Sequence, residues 1–385
     1  MDIQFLLWLQ QIREATGYAA DGFFALITHL GSLYPAIVIM ALLYWSVDKK
    51  SGRFLLLTDL WATLTGQTLK IIFCEYRPWV RSSLIEPVAA AVSGATGYSF
   101  PSGHTTNAVS LFGGLAICAA GRGPGAGSDS GEARRAERAG AATDGHQRAA
   151  NGKVRRSHTG TVVFFIFLAA LIGFSRLYCE VHTPQDVAVG AVIGIFWLWA
   201  SGRILRAAGG YGNGQCSGSG QCSGSGQRSS NGRRGDSGQG NGSGRVVVLA
   251  ALITCAASVG LIIYAALKRY PMDTNAAGEL LMDPAVMTQD TCRTAAGVAG
   301  AMLGWILEAR CVRFTTDGLS LRTRILRFVT GGIGAGLILV IGSKVLYPLC
   351  GETAGRMLKY GLLCFDLVGL HPLLFTLAER RSAAK

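Results

Sequence analysis

The chain has 385 residues, half of them hydrophobic, and a formal net charge of +13 at pH 7. Apolar runs of about 20 residues, the length that crosses a bilayer, recur along it, and a soluble protein would have to bury helices that are apolar on every side. The basic residues fall in alternate loops between these runs, as the positive-inside rule describes for one membrane face, so the charge does not indicate a nucleic-acid surface. We therefore predict an all-α, polytopic membrane protein whose partners are membrane lipids and not nucleic acid.

The apolar runs predict a bundle of about nine membrane-spanning helices. They lie near residues 22–47, 54–73, 104–120, 160–177, 186–206, 246–267, 294–311, 327–348 and 357–377. The basic loops place the N-terminus outside and the C-terminus inside. Residues 1–16 are too short and too charged to span, and they fit an interfacial amphipathic helix. A signal peptide is not expected there, because no basic start precedes the apolar residues.

Three regions divide the chain. Residues 1–206 hold the first five predicted spans and are called the front core below. Residues 207–244 are rich in glycine and serine and repeat the sequence Gly-Gln-Cys-Ser-Gly-Ser-Gly, which predicts a flexible linker. Residues 245–385 hold four further spans and are called the rear block.

Polar residues and glycines inside the spans give further expectations. The second span should line an interior and not face lipid, because it carries Asp59, Thr63, Thr65, Gln67 and Lys70. In the rear block we interpret His371 and Asp366 as hydrogen-bonded between helices. Four rear-block glycines are predicted to allow close helix contact, namely Gly331, Gly332, Gly334 and Gly336.

The ten cysteines show no spacing typical of a metal cluster. Cys74 and Cys179 fall at outer ends of predicted helices, as do Cys292 and Cys350. Either pair could form a disulfide, which the sequence alone does not establish. No metal and no cofactor are expected.

The first cluster of candidate functional residues is Lys70 with Arg77. Seven residues are about two helical turns, so both cations can lie on one face near the end of the second span. Pro78 cannot continue the helix and favours an extended Arg77. Alone, the pair could equally be two side chains reaching the membrane interface.

The second cluster is Pro101-Ser102-Gly103-His104-Thr105, directly before the third span. Proline and serine favour a helix start, and glycine lets the backbone approach a ligand. The N–H groups of a helix start attract anions, and His104 would project into that site. A plain capping sequence with an interfacial histidine is the alternative.

The third cluster surrounds His182. Arg176 ends the fourth span, and Asp186 follows His182 by four residues at the start of the fifth. The carboxylate can therefore reach one imidazole nitrogen, which fixes the tautomer and supports positive charge on the ring. A surface histidine beside a capping aspartate is the alternative.

The predicted topology places all three clusters on one membrane face. Arginine and lysine side chains suit phosphate oxygens. One aspartate-oriented histidine suits a nucleophile, and a second histidine suits a general acid. No clustered carboxylates are available to hold Mg²⁺, so cations would stabilise the transferred phosphoryl group in place of a metal.

The joint pattern resembles the phosphatidic acid phosphatase type 2/haloperoxidase superfamily, over roughly residues 54–206. The motifs are Lys-x6-Arg-Pro, Pro-Ser-Gly-His and Ser-Arg-x5-His-x3-Asp, complete and in order. The resemblance implies that His182 attacks phosphorus to form a phosphohistidine, that Asp186 orients it, and that His104 protonates the leaving oxygen. It also implies a phosphate site made by Lys70, Arg77, Ser102, Gly103 and Arg176. In the membrane branch of the superfamily this site faces the extracytoplasmic side and takes lipid phosphates.

We therefore expect a plasma-membrane enzyme that hydrolyses a lipid phosphate or diphosphate. Undecaprenyl diphosphate, phosphatidate and phosphatidylglycerol phosphate are candidate substrates. Two alternatives stay open: a phosphotransferase that uses the same phosphohistidine, and a non-enzymatic transporter or lipid-binding protein. The sequence does not define the oligomeric state or a role for the rear block.

Overall fold

The computed structural model describes residues 2–123, 145–208, 239–275 and 277–383. Within these ranges the chain is helical, with a single isolated β-bridge between Thr274 and Leu280 outside the helices. The all-α prediction is confirmed. The predicted linker lies mostly outside the described residues, so the division at 207–244 stays a prediction.

Among the described residues, six helices are long and apolar enough to cross a membrane by length and composition. They cover His158–Tyr178, Pro184–Ala207, Arg245–Leu267, Pro284–Val312, Leu321–Cys350 and Glu352–Arg381. The first of these is the end of a longer helix, Gly145–Tyr178, which begins well before the predicted span. All six match predicted spans, and the chain is an integral membrane protein.

The predicted first span, 22–47, is broken. It consists of helix α2 (Asp21–Leu30) and helix α3 (Leu33–Leu42, continued by a π-helical turn over Leu43–Val47), with a 45° bend between them. The break falls at Gly31, where a Cβ would lie 2.6 Å from Ile172 Cγ2 and 3.0 Å from the His104 carbonyl oxygen. This close approach lets the bend pack directly against the second and third clusters.

Two further predicted spans complete the front core. Helix α4 (Lys49–Phe73) begins at Asp48, whose carboxylate caps it by accepting from the Lys50 N–H, and ends at Cys74 with a left-handed backbone. Helices α7 (Gly103–Ala108) and α8 (Gly114–Ala119) are joined by a π-helical turn over Val109–Gly113. The remaining front-core helices are α1 (Asp2–Ala15), two short helices α5 (Pro78–Arg81) and α6 (Ala89–Val92), α9 (Gly145–Tyr178) and α10 (Pro184–Ala207).

Small residues bring α10 against α7. A Cβ on Gly190 would lie 2.7 Å from the Ser102 carbonyl oxygen, and one on Gly194 would lie 2.7 Å from Val109 Cγ1. Because side chains would force these helices apart, the two glycines set the distance between the Ser102 and Asp186 segments.

The rear block contains α11 (Gln239–Leu267), α12 (Pro284–Leu307), α13 (Leu321–Cys350), α14 (Glu352–Phe365) and α15 (His371–Ala383). Helices α12 and α14 pack so closely that a Cβ on Gly300 would clash with the Gly361 carbonyl oxygen. This contact does not involve the four glycines that the sequence predicted to allow close helix packing. Gly331 does lie against the Trp45 ring, whereas a Cβ on Gly332 or Gly336 would have nothing within 4 Å, so the prediction is wrong for these two.

Hydrogen bonds join the rear block to the front core at the end of the bundle where α4 begins, called the Lys49 end. Trp45 Nε1 donates to the Leu367 carbonyl at 2.8 Å, and Lys49 Nζ forms an ion pair with buried Glu308. His371 Nε2 lies 3.0 Å from the Arg327 carbonyl oxygen of the neighbouring helix, which confirms its predicted interhelical hydrogen bond.

The four cysteines considered for disulfides are free thiols, namely Cys74, Cys179, Cys292 and Cys350. The helix predicted over residues 1–16 is present as α1. Its Leu6 and Leu9 are buried together with Ile85 in a small cluster at the end of the bundle opposite Lys49.

Candidate active site

Arg77 holds together the backbone around His182. It follows the end of α4 with the extended backbone that Pro78 predicts, φ −64° and ψ 151°. Its Nε donates to the Gly97 carbonyl at 3.0 Å, and its Nη1 donates to the Val181 carbonyl at 2.9 Å. The same Nη1 lies 2.9 Å from His182 Nε2. The first and third clusters therefore meet, and this end of the bundle is called the site end.

His182 and Asp186 form the predicted pair, with Nδ1 3.3 Å from Oδ2. Both are 1% exposed. The same Oδ2 accepts from the Thr183 N–H at 2.9 Å and from Ser99 Oγ at 2.5 Å. Thr183 and Asp186 form a capping box at the start of α10, so a local helix-start motif fixes the carboxylate.

The partners of His182 assign its tautomer. Arg77 has only donors, so His182 Nε2 must accept from it, and the ring proton resides on Nδ1 facing Asp186. Burial, followed by the charges of Arg77, Arg176 and Lys70, holds the pKa of His182 well below its ordinary value. A neutral ring with its lone pair on Nε2 is the form that a nucleophile requires.

Arg176 brings an unsatisfied positive charge into the same place. It is 1% exposed, and its Nη1 donates to Thr28 Oγ1 at 2.5 Å. Its Nε and Nη2 are buried without a hydrogen-bond partner. An unsatisfied buried donor costs about 1–3 kcal/mol, and more when the group is charged. Burial and the charge of Arg176 also lower the pKa of Arg77, as expected where two cations are held together.

Lys70 and His104 complete the group of charges. Lys70 Nζ donates to the Tyr98 carbonyl at 3.0 Å. The His104 ring lies beside Gly94, where a Cβ would be 3.8 Å from Nε2. The positive charges of Arg176, Arg77 and Lys70 lie close enough to act on the His104 ring. The structure therefore brings all three clusters into one electrostatic site.

Ser102 and Gly103 differ in what they offer to a ligand. Ser102 is fully buried, and its Oγ caps α7 by accepting from the Thr105 N–H at 3.4 Å and from Thr105 Oγ1 at 2.9 Å. Its own N–H donates to the Asp186 carbonyl at 3.0 Å. Gly103 is exposed and, with Lys70, lines a cavity. The Ser102 hydroxyl is therefore used to cap α7, whereas Gly103 is open to the cavity.

Sequence reasoning missed three supporting residues. Ser99 hydrogen-bonds Asp186, Thr28 hydrogen-bonds Arg176, and Arg13 forms an ion pair with Glu180, two residues before His182. The position of Ser99 near the second motif was only a weak signal of its contact with Asp186. Thr28 lies on the broken span, and a hydropathy pattern that predicts one membrane-spanning helix over 22–47 gives it no role.

Comparison with known protein families agrees with this geometry. Residues 52–209 match the PAP2 superfamily, and this segment contains every residue of the three clusters. Residues 292–382 match the transmembrane extension of PAP2 superfamily phosphatases. No curated protein and no solved structure matches the chain. The two matched segments together span more than half of the chain, which belongs to the PAP2 superfamily as a membrane-embedded member with the transmembrane extension.

Proposed function

We propose that the protein is a metal-independent lipid phosphatase that works through a phosphohistidine on His182. The observation that supports this most directly is Arg176, with two buried guanidinium nitrogens that lack acceptors beside a neutral, aspartate-oriented histidine. Phosphate oxygens would supply those acceptors and the opposite charge. The cations Lys70 and Arg77 extend the same anion site.

In the first step, the His182 Nε2 lone pair attacks phosphorus, and the bond from phosphorus to the leaving oxygen breaks. The bound phosphate anion offsets the cations around His104, which takes up a proton and donates it to that oxygen, so the product leaves as an alcohol or as a phosphate. Arg77 Nη1, 2.9 Å from Nε2, is close enough to contact an equatorial oxygen of the transferred group. Asp186 stabilises the positive charge that develops on the His182 ring.

In the second step, water attacks phosphorus and the bond from Nε2 to phosphorus breaks. His104, now neutral, accepts a proton from that water. Inorganic phosphate leaves, and both histidines return to their starting states. Each step uses only groups that the structure brings together.

We propose a lipid substrate, because the site lies at the end of transmembrane helices, where a hydrophobic tail can stay in the bilayer while the phosphate reaches His182. Undecaprenyl diphosphate, phosphatidate and phosphatidylglycerol phosphate remain the candidates. We also propose that the site faces the extracytoplasmic side of the plasma membrane, an orientation that the distribution of basic loops supports.

The test is phosphate release by purified protein in detergent from a panel of these lipids. We expect His182→Ala to lower release by more than about 10³-fold, as removal of a nucleophile does. His158→Ala is the matched control, because His158 is exposed at the start of a membrane span. EDTA should leave the rate unchanged. Full turnover by the His182→Ala protein would reject the mechanism, whereas no phosphate release by the unsubstituted protein from any lipid of the panel would favour a non-enzymatic role.

A further inference from the structure

A cavity of about 160 Å³ lies between the front core and the rear block. Lys70 and Gly103, both assigned above to the phosphate site, form part of its wall. Rear-block helix α12 supplies Asp290, Arg293 and Thr294 on the other side. The cavity therefore adjoins the phosphate site and is incomplete without the rear block.

Besides Lys70, which belongs to the proposed phosphate site, the front-core wall of the cavity carries neutral hydrogen-bonding side chains. Thr63 Oγ1 donates to Asn107 Oδ1 at 3.4 Å, which leaves the Asn107 amide N–H groups for a ligand. Gln67 Nε2 donates to Thr291 Oγ1 at 2.9 Å, which leaves the Gln67 amide oxygen as an acceptor. These neutral donors and acceptors suit hydroxyl groups, which both donate and accept.

The rear-block wall carries a pair of opposite charges. Arg293 Nη2 lies 3.1 Å from Asp290 Oδ1, and Thr96 Oγ1 donates to Asp290 Oδ2 at 3.4 Å. The two charges offset each other, so the pair gives no net attraction for a second phosphate group. Asp290 can still accept hydrogen bonds from hydroxyls, and Arg293 can donate to a hydroxyl oxygen.

The cavity is small. Its volume of about 160 Å³ is below that of pockets for drug-sized ligands, which are about 300–1,000 Å³. This volume suits a small group, such as a glycerol-sized polyol.

We propose that this cavity binds a hydroxyl-bearing group attached next to the scissile phosphate, and that Asp290 and Arg293 determine this specificity. This inference rests on the proposed phosphatase function and narrows its substrate class. The preferred substrate is a phosphomonoester of a polyhydroxylated lipid headgroup. A diphosphate would place its second phosphate against Asp290, and a phosphatidate would leave the polar wall without partners.

The test is equilibrium binding of three soluble probes to purified protein carrying His182→Ala, so that no probe is hydrolysed. Inorganic phosphate reports the phosphate site alone, glycerol 3-phosphate adds hydroxyls, and pyrophosphate adds a second phosphate. We expect glycerol 3-phosphate to bind about tenfold more tightly than phosphate, since a hydrogen bond to a charged group contributes about 1.5–3 kcal/mol. Pyrophosphate should show no such gain.

Asp290→Ala, added to the same protein, should remove the preference for glycerol 3-phosphate and strengthen pyrophosphate binding, because the Arg293 charge is then no longer offset. Affinity for inorganic phosphate should change by less than about threefold, since Asp290 does not contact that group. Glu279→Ala is the matched control, because Glu279 is an exposed carboxylate in the loop before α12. It should retain the wild-type order of affinities.

The outcomes separate the two proposals. Intact phosphate binding with no preference for glycerol 3-phosphate, or with a preference for pyrophosphate, overturns the cavity assignment only. Equal weakening of all three probes by Asp290→Ala shows a structural role for Asp290 and also overturns it. If inorganic phosphate itself does not bind, the proposed phosphate site fails, and the cavity assignment fails with it.

Discussion

The protonation state of the His182 ring determines whether Nε2 can act as a nucleophile. Arg77, at 2.9 Å, faces that nitrogen with a donor, and Asp186 faces Nδ1. Two independent contacts thus select one tautomer. Burial and three neighbouring cations select the neutral ring by lowering its pKa. The cations that we propose to bind phosphate therefore also hold His182 in the form that nucleophilic attack requires.

This arrangement predicts a pH profile. A lowered pKa means that His182 takes up a proton only at a pH below the ordinary value of about 6.5, so the free enzyme keeps its lone pair in mild acid. Since kcat/KM reports ionisations of the free enzyme, its acid limb should fall below pH 6.5. The measurement is kcat/KM between pH 4.5 and 8. The second ionisation of the phosphate substrate, near pH 6, is measured separately by phosphorus NMR, and the pH profile of kcat/KM is corrected for it. If the acid limb of the corrected profile lies at or above pH 6.5, it contradicts the lowered pKa of His182.

Short helix α1 is attached to the segment that carries His182. Arg13, 3% exposed, donates to Glu180 Oε1 at 2.6 Å and to Asp21 Oδ2 at 3.0 Å. Glu180 is fully buried, with a left-handed backbone at φ 56°. Burial raises the pKa of Glu180 to about 7, although the Arg13 hydrogen bond opposes the rise. This ion pair therefore links α1, the start of α2 and the backbone two residues before His182.

Replacement of Arg13 tests this link. Arg13→Met leaves the Glu180 carboxylate buried without its cation, and breaking one side of a buried pair costs about 3–5 kcal/mol. We expect a clear fall in the thermal midpoint of the detergent-solubilised protein. The double variant Arg13→Met/Glu180→Gln should recover part of that loss, because the unpaired charge is gone. If the double variant is as unstable as the single one, the ion pair is not the source of the effect.

The break at Gly31 is a feature that the hydropathy pattern of the sequence does not predict. Hydropathy over 22–47 is continuous, so a periodic reading gives one span. The chain bends there because Gly31 lies against Ile172 and the His104 backbone, contacts with residues far away in sequence. The motif residues could be predicted because their chemistry is local, as in the capping box at Thr183 and Asp186. Thr28 could not, because its partner Arg176 is known only from the fold.

At the scale of the whole molecule, the rear block forms one wall of the cavity that Lys70 and Gly103 also line. No role for it follows from sequence alone, because its polar residues Asp290 and Arg293 show no motif. Their significance comes from the packing of α12 on α4, where Gln67 hydrogen-bonds Thr291 across more than 200 residues of chain. At the Lys49 end, Trp45 and Lys49 hold the same two parts together. The rear block thus has a packing role and a place beside the phosphate site.

Two native cysteines can test which side of the membrane the site faces. Cys311 and Cys350 are both exposed. Cys311 follows α12 near the Lys49 end, whereas Cys350 ends α13 after 30 residues, about 45 Å further on. The start of α13 is fixed at the Lys49 end, because Ser46 Oγ donates to the Arg324 carbonyl at 2.9 Å. Cys350 therefore lies at the site end.

If the site is extracytoplasmic, a membrane-impermeant maleimide added to intact cells should label Cys350 and not Cys311. Cys311 should react only after the membrane is permeabilised. The single variants Cys311→Ser and Cys350→Ser assign each signal, and buried Cys292 in the same block serves as an internal control that should stay unlabelled until the protein is denatured. Both variants should keep phosphatase activity, since neither thiol touches the site residues. Labelling of Cys311 first would place His182 on the cytoplasmic side, and the substrate would then have to come from the inner leaflet.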